Sequence, residues 1–86
     1  MNQFTREHSQ ELLVFRPNNL TEGMEVILAV RSQKTVVLDL SVIDNRQAQR
    51  IADFVSGGVT AIDGEEHRLG DQVFLFTPAG VRVTLN

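Results

Sequence analysis

Apolar positions along this chain switch between a two-residue and a 3.6-residue period, and the switch points mark strands and helices. Leu12 to Phe15 is a short apolar run that stops at Arg16-Pro17, which predicts a first strand. Asn18-Asn19 or Thr21 can cap a helix that carries Leu20, Met24, Ile27, Leu28 and Arg31 on one side, with Gly23 weakening it. The run Val26 to Val30 would suit a strand, but its place after Pro17 and before a strand signal favours helix. Lys34 to Leu40 (KTVVLDL), rich in β-branched residues, predicts a strand. Ser41 or Asp44 then opens a second helix, which Gly57-Gly58 is expected to close. Val59 to Ile62 reads as a strand, Asp63-Gly64 as a tight turn and Glu65 to Leu69 as the hairpin partner. Gly70-Asp71 turns the chain into Gln72 to Thr77, and Pro78-Ala79-Gly80 leads to a last alternating strand, Val81 to Leu85. Residues 1–11 are polar and predict a flexible leader ahead of a core domain of residues 12–86.

The order β-α-β-α-β-β-β-β implies an α/β fold, a two-layer sandwich with two helices packed on a mixed five- or six-stranded sheet. Parallel pairing is expected across each helix and antiparallel pairing through the C-terminal hairpins. Two helices cover only one face of such a sheet. Yet the strand around residues 73–76 is apolar on both sides, with Val73 and Leu75 pointing one way and Phe74 and Phe76 the other. One pair therefore lacks an evident cover, which points to a groove or interface for an apolar partner segment unless loops or the first strand supply it. Arg68, just before the turn into this strand, could set a basic head beside the aromatic pair and select an acidic or polar flank.

The second helix raises a similar question. Ala48, Ile51, Ala52 and Val55 form one stripe, the usual core-facing side. Phe54 falls about 110° from its centre, beside Ile43, Gln47 and Arg50. A large aromatic among long polar side chains, followed by Gly57-Gly58, suggests a surface that meets another chain; the alternative is that Phe54 folds over the helix edge into the core.

Composition removes several classes. The chain has 86 residues, 42% hydrophobic and 22% charged, as a single globular domain does. The net charge is -3 and the basic residues are scattered, so no phosphate-tracking stripe points to nucleic acid. Without cysteine there is neither a disulfide framework nor a thiolate metal site. No apolar run approaches the ~20 residues that span a bilayer. The imidazoles are His8 and His67. Glu65-Glu66-His67 crowds three potential ligands, but neighbours on a strand face opposite ways, so only Glu65 and His67 would share a side. Asp39 at a strand end and Asp53 on a helix have no base or nucleophile beside them, and the glycines fit helix ends and turns rather than a phosphate cradle. No catalytic residue, metal site or cofactor is implied, and the chain does not read as an enzyme.

Two segments carry a family resemblance: Arg50-Ile-Ala-Asp-Phe-Val-Ser-Gly57 and Arg68-Leu-Gly-Asp-Gln-Val-Phe-Leu-Phe-Thr-Pro78. With KTVVLDL before them and the closing VRVT, they resemble the core domain of SepF, a bacterial cell-division family, over roughly residues 12 to 85. The resemblance implies a non-enzymatic adaptor that supports septum assembly at the division site in the cytoplasm. Such cores dimerise, can assemble into higher-order polymers, and bind the C-terminal tail of the tubulin-like protein FtsZ. The family also anchors FtsZ to the membrane through an N-terminal amphipathic helix, for which Met1 to Glu11 is too short and too polar.

By the same resemblance Arg68 and Phe74, with Phe76 beside them, would line the FtsZ-tail pocket, and Phe74→Ala would abolish binding while leaving the fold intact. Gly57 would belong to a helix-mediated contact between subunits, giving Ile43, Gln47, Arg50, Phe54 and Gly58 a role in self-association. One departure is Gln49, where relatives often place a lysine. The alternative class is a small regulatory module of the STAS type, switched by phosphorylation at Ser41 or Ser56, although no Asp-Ser-[Ser/Thr]-Gly-like segment is present.

Overall fold

In the computed structural model the described residues are 12–81 together with Val83 and Thr84. Their elements run β1 (Leu12–Phe15), α1 (Leu20–Arg31), β2 (Thr35–Asp39), α2 (Asn45–Ala61), β3 (Glu65–Gly70) and β4 (Val73–Thr77). The expected leader, residues 1–11, lies outside the described residues.

Both helices start at side-chain caps. Asn19 accepts from the Glu22 N–H at 2.8 Å, and the Glu22 carboxylate reaches back to the Asn18 N–H at 2.7 Å. Asp44, not Ser41, caps α2, accepting from the Gln47 N–H at 2.9 Å. The stripe on α2 continues past the expected stop: Ala48, Ile51, Val55 and Val59 are all buried, one or two turns apart. Burial of Val59 on that stripe carries the helix through Gly57-Gly58 to Ala61, so the strand expected at Val59 to Ile62 is instead the last turn of α2. Ile62 caps it and Asp63, at φ 64°, makes the reversal.

The described sheet has four strands in the order β1-β2-β4-β3, not five or six. Besides the segment taken by α2, the expected last strand has no described residue in a strand: Val81, Val83 and Thr84 lie outside any strand, and Arg82 and Leu85 are outside the described residues. β1 and β2 pair in parallel across α1 as expected. Across α2 the expectation fails. β4 inserts antiparallel between β2 and β3, so those two run in the same direction without touching as neighbours.

Register places the side chains in rows that cross all four strands. Phe15, Leu38, Phe74 and Arg68 form one row, and Leu13, Val36, Phe76 and Glu66 the next. These rows face the helices. There Val36, Leu38, Phe74 and Phe76 meet Val26, Val30, Ile51, Val55 and Val59 in one core, each fully buried side chain contributing about 1.5–3 kcal/mol.

Candidate functional site

Both helix-facing rows begin apolar at β1 and end polar at β3. That change of character at the edge strand opens a groove of about 510 Å³ between α2 and the β3–β4 hairpin. Its floor includes Leu40, Ala48 and Phe74; its walls carry Gln49, Asp53 and Ser56 from α2 against Glu66 and Arg68 from β3. Two side-chain hydrogen bonds tie α2 to the hairpin. Gln72 donates to Asn45 at one end, and the Ser56 hydroxyl donates to Glu66 at the other.

Arg68 is held at three points. Its Nε donates to the Gly70 carbonyl at 3.0 Å, its Nη2 to the Asp71 carbonyl at 2.6 Å, and its guanidinium carbon lies 5.2 Å from the Phe74 ring centre. The register shift between Arg68 and Gly70 bends the edge strand at this point. Phe74, only 6% exposed, leans on Phe76 with ring centres 6.2 Å apart and planes 28° off parallel. Of the three residues expected to meet a partner, Arg68 and Phe74 thus come together in the groove. Phe76 does not reach it: at 0% exposure it supports Phe74 from beneath.

Helix coverage decides which side of β4 is left open. Phe74 and Phe76 are the covered pair, while Val73 and Leu75 lie on the open side of the sheet. On that side Val14, Val37, Leu75 and His67 make a row across the four strands. Val14 is 53% exposed and Leu12, two residues before it on the same side, 58%. His67 lies 3.5 Å from Glu65 there, and its Nε2 is buried without a hydrogen-bond partner. Among the described residues no third ligand joins them in a metal-binding group.

The residues expected to mediate self-association divide. Arg50 and Gly57 are exposed, and a β-carbon at Gly57 would meet nothing within 4 Å. Ile43 and Phe54 are half-buried and pack on the core, Gln47 donates to the Asn18 carbonyl at 3.0 Å, and Gly58 abuts Ile27. Phe54 thus folds over the helix edge, near Gly23 of α1. Met24 and Leu28, expected to share one side of α1 with Leu20, Ile27 and Arg31, are each 43% exposed and add apolar area to the outer helix layer. The signal was there in Gly23, Val26 and Val30, the buried stripe that turns Met24 and Leu28 outward.

Asp39 is fully engaged within the fold. Its carboxylate accepts from the Ser41 hydroxyl at 2.6 Å, the Ser41 N–H at 3.0 Å and Arg16 at 3.0 Å, and these bonds hold its pKa below the ordinary 3.8. No helix among the described residues is long and apolar enough to cross a membrane.

The family described as "Cell division protein SepF" matches residues 12–83. Proteins named "Cell division protein SepF" from Synechococcus elongatus and Gloeothece citriformis are each 47% identical, over 76 and 74 residues respectively. The match covers 88% of this chain and 40% of the Synechococcus protein, and 86% and 38% in the Gloeothece pair. The chain therefore spans about two-fifths of the length of these curated relatives. In fold it is similar to a SepF-like protein from Archaeoglobus fulgidus, with TM-score 0.76, 23% identity and coverage of 88% of this chain and 94% of that one. A SepF-like protein from Pyrococcus furiosus gives TM-score 0.73 at 14% identity, covering 88% and 95% of the two chains.

Proposed function

The chain belongs to the SepF family of cell-division proteins, and from that premise we propose that it is a non-enzymatic adaptor that binds the C-terminal tail of FtsZ and self-associates at the division site. The observation that carries this reading is the groove over Phe74, with Arg68 fixed at its rim by two backbone carbonyls. A groove of about 510 Å³ suits a few side chains of an extended or turned peptide rather than a folded domain. Phe74 offers an aromatic floor and Arg68 one oriented donor group, the mix of apolar area and placed polarity that peptide recognition uses.

A short segment in such a groove binds weakly, about micromolar or weaker. Self-association compensates. Two or more grooves facing a polymer of tails raise the effective concentration, and avidity then exceeds single-site affinity by roughly 10²–10⁴. Two apolar surfaces are available for it: the outer helix layer with Met24, Leu28 and bare Gly57, and the open sheet side with Leu12 and Val14.

The regulatory-module alternative finds less support. Ser41 is not the cap of α2, and both candidate serines donate their hydroxyls to carboxylates, Ser41 to Asp39 and Ser56 to Glu66. The test is fluorescence anisotropy of a labelled FtsZ tail peptide titrated with the chain and with variants of Arg68 and Phe74. Saturable binding weakened in both variants is the expected result. Absence of binding to the unsubstituted chain would overturn the adaptor reading.

A further inference from the structure

Charge in the groove runs against the expectation that Arg68 selects an acidic flank. Among the described residues three carboxylates line it, Asp53, Glu66 and Asp71, against one guanidinium, that of Arg68. Two of that guanidinium's nitrogens already donate to the Gly70 and Asp71 carbonyls, so only part of its hydrogen-bonding edge is open to an occupant. Asp53 and Glu66 come from opposite walls. Each is oriented by a neutral donor on α2, Gln49 to Asp53 at 2.8 Å and Ser56 to Glu66. Neither has a cationic partner among the described residues.

We infer that the groove reads positive charge on its occupant: the FtsZ tail segment that binds here carries a Lys or Arg which seats between Asp53 and Glu66, while its apolar side chains lie over Phe74. This inference rests on the tail-binding reading and adds a polarity to it. A concave site with an excess of one sign focuses its potential outward and discriminates against like charge on an incoming segment. An acidic flank would meet three carboxylates for one partly engaged guanidinium. A basic residue placed at the Ser56–Glu66 end would meet two oriented carboxylates that have no cationic partner among the described residues, and Arg68, at the other end, would take a backbone carbonyl or terminal carboxylate of the same segment.

The experiment compares the labelled FtsZ tail peptide on the unsubstituted chain, Asp53→Asn, Glu66→Gln, the double variant and Glu66→Lys, at low and physiological salt, with a melting curve for each. Each neutralisation should weaken binding about two- to fivefold, the range of a single solvent-accessible ion pair, and Glu66→Lys more. The double variant should also show the flattest salt dependence. Binding that is unchanged or tightened by neutralisation, while Phe74 variants still weaken it, would overturn the charge reading and leave the adaptor standing. Failure of the unsubstituted chain to bind the tail would overturn both.

Discussion

Gly58 and Ile27 set the distance between the two helices: a β-carbon built on Gly58 would lie 2.3 Å from Cδ1 and 2.8 Å from Cγ1 of Ile27. The neighbouring Gly57 faces outward, where the same added carbon meets nothing within 4 Å. Gly58→Ala should therefore destabilise the fold by about 1–3 kcal/mol through overpacking. Gly57→Ala should raise stability by roughly 0.5–1 kcal/mol, because it improves helix propensity without a clash. Urea unfolding of both variants checks the contrast, and equal effects would mean that the helices do not approach at Gly58.

The same two glycines show why the sequence misled at this point. A double glycine after a polar run is a common helix stop, and only the packed Val59, one turn beyond Val55 on the buried stripe, shows that α2 runs on. Local signals did more elsewhere: capping chemistry narrowed each helix start to a few residues, of which Asn19 and Asp44 are the caps, and the strands around Thr35–Asp39 and Val73–Thr77 follow from β-branched content and period-two patterning. What local pattern could not supply was sheet order. Insertion of β4 between β2 and β3 decides that Phe74 faces the helices and Leu75 the open side, and either orientation satisfies the same alternating run. Arg68 and Phe74 were legible as a pair through family resemblance. Asp53 and Glu66 were not, because two carboxylates on separate elements become one feature only when α2 and β3 face each other across the groove.

Low pH should act through Asp39. Its folded-state pKa is depressed, chiefly by the Ser41 hydroxyl and amide and then by Arg16. A depressed carboxylate contributes stability that is fully present above the unfolded value near 3.8 and is lost as pH falls through the lower folded value. Asp39→Asn should thus melt earlier than the unsubstituted chain at neutral pH, with the gap closing below about pH 4. A gap independent of pH would show that the carboxylate charge is not what the three donors stabilise.

Phe74→Ala is a poor probe of binding, contrary to the expectation from sequence. Phe74 is 6% exposed within the core, and truncating such a side chain costs about 3–5 kcal/mol, a large part of the stability of an 86-residue domain. Phe74→Leu keeps most of the buried volume while removing the aromatic face under Arg68. Tail affinity should drop several-fold in Phe74→Leu with only a modest loss of melting temperature. Arg68→Ala should lower affinity by roughly fivefold, about 1 kcal/mol, with little effect on the fold. Tail binding insensitive to both would place the site outside the groove.

Self-association can be dissected because its two candidate surfaces lie on opposite sides of the molecule. Gly57 sits bare on the helix layer, which also exposes Met24 and Leu28, and Val14 lies 53% exposed on the open sheet side. A chain with two self-complementary surfaces on opposite sides assembles beyond a dimer, whereas one with either surface blocked stops at the dimer the other still forms. Lysine at an apolar contact brings both desolvation and like-charge repulsion across a two-fold axis, so Gly57→Lys and Val14→Lys should each limit assembly, and the double variant should be monomeric. Because an added side chain at Gly57 meets open space and Val14 already faces solvent, neither substitution should unfold the chain. Sedimentation velocity over a concentration series reads the outcome. Assembly of Gly57→Lys equal to that of the unsubstituted chain would remove the helix layer as an interface. Tail affinity of the monomeric double variant for a single peptide should then match that of the dimer, while its retention on FtsZ polymer falls by the avidity factor of roughly 10²–10⁴.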